Sequence, residues 1–127
     1  MQKIRIENFP VISTNSIYAG KHWKKRDKDK EAYRWCFQQY AKKIQAITEK
    51  VDLHFTFYFS SNTRSYDSSN CSYMGKMFED AMVKNGILKN DSRKYVRRFT
   101  TQSERSETKE NYCVLTITEI DKDDKRK

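Results

Sequence analysis

The sequence predicts a single compact domain of the α/β class (mixed α+β). A mixed sheet carries two main helices in the order β-α-β-α-β-β. Three observations predict it. The run from Val51 to Phe59 alternates strictly between apolar and polar residues, which marks a strand with one buried face. Segments around 29–48 and 71–85 repeat apolar residues at helical spacing. These helices alternate with strands, as in chains whose helices pack on a sheet. A length of 127 residues suits one domain, assigned to 1–120, with 121–127 as a charged tail.

Along the chain, Lys3 to Glu7 alternates as a short strand that Pro10 closes. A loop with strong turn chemistry follows, from Ser13 to Gly20. Lys21 to Lys30 is a charge run containing His22 and Trp23. Apolar residues at 33, 36, 37, 40, 44 and 47 then define the first helix. After the strand 51–59 comes a polar loop, 60–70. The second helix spans about Cys71 to Asn85, with Gly86 placed to cap it. Lys94 to Thr101 and Tyr112 to Ile120 read as two last strands around a polar connection.

Composition bounds the function. Aromatic residues make up 13% of the chain and hydrophobic residues 36%, enough to exclude a disordered polymer. With 3 Gly and 1 Pro, collagen-like and low-complexity classes are excluded as well. No apolar run approaches the roughly 18 residues that cross a bilayer, and MQKIRIENFP shows no apolar signal core. No membrane partner is therefore expected. The cysteines Cys36, Cys71 and Cys113 form no pair at zinc-ligand spacing, which suits reduced thiols in a cytoplasmic protein. Neither a zinc site nor a small-molecule cofactor is expected. Against 17 acidic residues stand 26 Lys and Arg, a net charge of +9, and such an excess suits a polyanionic partner, nucleic acid above all.

Three acids stand out in so basic a chain. Asp67 follows the most apolar strand, Asp80 lies in the next helix, and Asp91 lies in the turn after it. On a helical wheel, Tyr73, Met74, Met77, Phe78, Ala81 and Met82 form one apolar arc. Asp80 sits at its edge between Lys76 and Lys84, and Glu79 is expected to point into solvent. Carboxylates from separate elements can meet around Mg²⁺, which takes few protein ligands and keeps waters for phosphate chemistry. Lys76 would then steer a scissile phosphate. The bland reading stands beside this one. Lys76, Asp80 and Lys84 also make an ordinary surface ion-pair row. Asp67 also suits an Asx-turn, and Asp91 a cap.

Asp67-Ser68-Ser69-Asn70, Lys76, Glu79-Asp80, Gly86 and Asn90-Asp91-Ser92 occur in that order. This array resembles the RusA family of Holliday-junction resolvases, which are mostly encoded by phages and prophages. Asn15, Tyr18 and the basic run Trp23-Lys24-Lys25-Arg26 are similar to the family's opening segment. The resemblance covers about residues 3 to 119. It implies a homodimer that binds four-way DNA junctions and nicks opposed strands with Mg²⁺ or Mn²⁺, in DNA recombination or repair. It implies Asp67 and Asp91 as metal-binding acids, Asp80 as the helical acid, Lys76 as the essential basic residue, and Asn70 and Asn90 in support. Two positions depart from the family pattern: Ser69 and Asn90 stand where the family often has Asp. A catalytically weak or inactive DNA-binding protein on the same scaffold is therefore the alternative. A third reading is an RNA-binding or interaction protein whose acids are surface pairs.

Basic residues supply the expected DNA contacts. Lys21, Lys24, Lys25 and Arg26 surround Trp23, Arg64 lies in the loop before Asp67, and Arg93, Lys94, Arg97 and Arg98 follow Asp91. Such groups neutralise phosphates and release counterions. Trp23 and Tyr18 either stack on unpaired bases or anchor their loop to the core. The stripe Met74, Met77, Phe78 and Met82 reads as core, and His54 as a structural residue on a polar strand face.

Overall fold

A computed structural model describes residues 1–12, 23–60, 71–90 and 92–120, without the side chains of 23–26. Its elements are β1 (Gln2–Glu7), α1 (Trp23–Ala41), β2 (Val51–Phe59), α2 (Ser72–Lys84), β3 (Val96–Arg105) and β4 (Tyr112–Glu119). This is the expected mixed α+β order. The sheet runs β1-β4-β2-β3. β4 is antiparallel to both β1 and β2, whereas β2 and β3 are parallel. A parallel pair needs a crossover, and α2 supplies it.

β2 is the axis of the core. Val51, Leu53, Phe55, Phe57 and Phe59 are buried, and the alternate residues are half-buried. Both helices cover the apolar face. Phe78 of α2 joins them to the sheet: its ring lies 4.6 Å from Tyr33 of α1 and 5.8 Å from Phe55 of β2. After β1, Asn8 takes a positive φ of 56°, a conformation that Asn tolerates well. That turn sends Phe9 back under the helices, against Phe57 and Phe78. Met74, Met77, Phe78 and Met82 are all core, as their spacing predicts.

Two elements, α1 and β3, differ in their bounds from the sequence reading. α1 begins inside the charge run, at Trp23, and ends at Ala41 instead of continuing to 48. Beyond Ala41, the Lys43 and Ile44 amides bond back to the Tyr40 and Ala41 carbonyls in a tightened turn. Ile44 and Ile47 keep helical spacing yet reach the core from irregular chain. The Ile47 amide donates to the Ile87 carbonyl at 2.8 Å, so tertiary bonding replaces the helix there. β3 starts later and runs longer than expected, through Arg105. α2 ends as predicted: Gly86 adopts φ 77° and the Ile87 amide returns to the Met82 carbonyl at 2.9 Å. No helix among the described residues is long and apolar enough to cross a membrane.

Candidate functional site

α2 places the described part of the acidic constellation. Its edge toward β3 carries Gly75, Lys76 and Glu79. A Cβ on Gly75 would lie 2.8 Å from Phe99 Cζ and 2.9 Å from Thr101 Cγ2. Only glycine lets the helix approach β3 so closely. One turn on, Glu79 is carried into the same tight contact zone and is 1% exposed. This corrects the expectation that Glu79 points into solvent. Lys76 bonds to it, Nζ to Oε1 at 3.3 Å, and also stands 4.2 Å from the centre of the Phe99 ring. The ammonium of Lys76 thus lies between a carboxylate and an aromatic ring, while its side chain remains more than half exposed.

Asp80 faces the other way. With Lys84 it lines a cleft of about 270 Å³ against Asp27, Lys30, Glu31 and Arg34 of α1. Arg34 bonds to Glu31 at 2.8 Å. The Arg34 Nε and the Asp80 Oδ2 are both shielded and lack hydrogen-bond partners among the described residues. The expected row Lys76–Asp80–Lys84 is therefore divided, because Lys76 turns to Glu79 and Asp80 lies in a cleft of mixed charge.

Asp67, Asn70, Asp91, Lys21 and Arg64 lie outside the described residues, as do the side chains of Trp23, Lys24, Lys25 and Arg26. Among the described residues, no three His, Cys, Asp or Glu side chains gather to hold a metal. What the structure gives of the second acidic turn is its frame. Asn90 Oδ1 accepts from the Ser92 amide at 2.9 Å. The Tyr95 and Val96 amides both donate to the Ser92 carbonyl at 3.0 Å, leading the chain into β3.

Arg93, Lys94 and Arg98 are exposed around that turn and the start of β3. Arg97 is engaged. The register slips at Val51/Asp52, so β3 carries one extra residue there. That residue, Arg97, forks onto Asp52 at 3.1 and 2.7 Å. The hydrogen bond from Arg97 holds the Asp52 carboxyl below its usual range against the opposing effect of burial.

The thiols offer no nucleophile. Cys71 and Cys113 are fully buried, and desolvation pushes the Cys113 thiol well up. Burial also raises that of Cys36. His54 is structural as expected, its ring nitrogens meeting Thr100 and Gln102 on the sheet face away from the helices.

Two residues escaped the sequence reading. One is the buried Glu79, for which Gly75 one turn earlier was the available signal. The other is Trp35, which is 62% exposed on α1. It falls out of phase with Tyr33 and Phe37, and that mismatch was visible in the sequence. No protein-family model matches the chain, and no curated protein matches it.

Proposed function

We propose that the chain is a metal-dependent DNA endonuclease of the RusA type that resolves four-way junctions by paired nicks. The ordered array Asp67, Asn70, Lys76, Asp80 and Asn90-Asp91 on a chain of net charge +9 carries this reading. The α+β fold is compatible with it. Asp67 and Asp91 would hold Mg²⁺ or Mn²⁺, which activates water and stabilises charge on the leaving oxygen. Asp80 is the helical acid of the resemblance, and the buried Glu79 is the carboxylate that local geometry adds beside Lys76. Arg93, Lys94 and Arg98 would hold the DNA backbone. The protein would act as a homodimer, because a two-fold assembly sets equal sites on the opposed strands of a junction. It would work in the cytosol of a bacterial host.

The test is cleavage of a synthetic four-way junction with and without Mg²⁺. Asp91→Asn and Asp67→Asn should abolish nicking while junction binding persists, since removal of an anion near DNA does not weaken attraction. Parent-level cleavage by both variants would sink the proposal. Asp80→Asn beside Glu79→Gln decides which helical carboxylate matters. The second reading, a binder without cleavage, is favoured by Ser69 and by Asn90, whose amide oxygen serves the turn. Restored nicking in Ser69→Asp/Asn90→Asp would identify a decayed nuclease.

A further inference from the structure

α1 buries Tyr33 and Phe37 fully against the core, yet Trp35 between them is 62% exposed. An indole has a large apolar body and a polar N–H, and tryptophan is enriched at binding interfaces. Trp35 lines an open groove of about 560 Å³ with Gln38, Gln39 and Lys42. These residues fall at i+3, i+4 and i+7 from it and therefore share its face. The Arg34 guanidinium approaches the ring to 5.1 Å from its centroid.

We propose that this groove seats an unpaired nucleobase of DNA. The base stacks on Trp35, and its polar edge meets the amides of Gln38 and Gln39. Each amide offers donors and an acceptor, so any base is served. The adjoining phosphate meets Lys42. The inference rests on the DNA-binding half of the proposed function and not on cleavage.

The face itself selects this occupant over a second copy of the chain. A two-fold helix pair centred on Trp35 would set Lys28 of one copy beside Lys42 of the other, since each lies seven residues from Trp35. Both lysines are exposed, and their like charges repel. The rest of the exposed stripe, Glu31, Ala32, Gln38 and Gln39, has no apolar group larger than a methyl. Protein interfaces bury a larger apolar centre than that. A net charge of +9 and one aromatic platform suit a polyanion with accessible bases instead.

The chain contains 2 Trp, so the emission lost between the parent and Trp35→Ala is that of Trp35. Titration of the parent with single-stranded oligothymidylate should quench that component in step with binding followed by anisotropy. Trp35→Ala should weaken single-strand binding by about 5- to 150-fold, the range that stacking free energies give. Trp35→Phe should keep most of the affinity. Duplex affinity and the salt dependence should not change, because no charge is removed. Unchanged fluorescence together with equal single-strand affinity in Trp35→Ala would overturn the inference and leave the DNA-binding reading standing. So would conversion of a dimer to a monomer in Trp35→Ala with DNA affinity intact, which would assign the face to a second copy. Failure of the parent to bind any DNA would overturn both.

Discussion

The Lys76 ammonium stands 3.3 Å from the Glu79 carboxylate, and the two side chains differ sharply in exposure, at 56% and 2%. The pair is therefore asymmetric. Glu79 has given up most of its water, whereas Lys76 has not. Removing the lysine should destabilise the fold by about 0.5–1.5 kcal/mol, the net worth of one hydrogen bond. Lys76→Met/Glu79→Met should be more stable than Lys76→Met alone, because the second change removes a charge from a buried position. Urea unfolding of the three variants measures both effects. A double variant weaker than the single one would refute this account.

Gly75 offers a second test. Alanine is the better helix former by about 1 kcal/mol. Its methyl would nonetheless lie 2.8 Å from the Phe99 ring and 2.9 Å from Thr101. Overpacking of this kind costs about 1–3 kcal/mol, so Gly75→Ala should give net destabilisation of about 1 kcal/mol, read from the urea midpoint. Substituting Phe99→Leu in the same chain should recover part of that stability.

Asp52 gives a pH signature. Arg97 lowers its carboxyl below the ordinary value. A lowered folded value means that the contribution is full above the unfolded pKa and is lost as pH falls through the folded one. Both side chains are partly exposed, so the contribution is about 0.5–1 kcal/mol. Asp52→Asn should be less stable than the parent by that amount at neutral pH. The gap should narrow below about pH 4, near the unfolded value, and close in stronger acid. Thermal melts across that range check it.

The same pair separates two arginines that look alike in sequence. Arg98 is exposed, whereas Arg97 is committed to Asp52. Every phosphate that a variant leaves unneutralised should lower the salt slope of DNA binding by about 0.9. Arg98→Gln should show that drop. Arg97→Gln should show less of it while losing stability. Anisotropy titrations at several salt concentrations distinguish them.

How much could be read beforehand depended on what the residues had to do. Val51 to Phe59 was legible because alternation and a buried face coincide. Gly86 was legible because a helix stop with positive φ calls for glycine. The end of α1 was not, because Ile44 and Ile47 keep helical spacing while the Ile87 carbonyl takes the amide of Ile47. Glu79 was misread because a helical wheel scores its carboxylate as polar and cannot see that Gly75 draws that edge onto β3. Of the candidate site, the sequence supplied residue types and order. The direction in which Lys76 turns came from Phe99 and Glu79, which only the fold brings together.

β4 lies between β1 and β2, bonded to both, although it is the last strand among the described residues. During synthesis β2 must therefore wait with one hydrogen-bonding edge bare until residues beyond Tyr112 leave the ribosome, and β1 has no sheet neighbour at all before then. The phenylalanine row of β2 makes that interval hazardous, since bare apolar edges recruit other chains. A nascent chain arrested near residue 111 should engage chaperones and resist native collapse. Emergence of β4 would close the sheet in one step, coupling the synthesis of that strand to burial of the core.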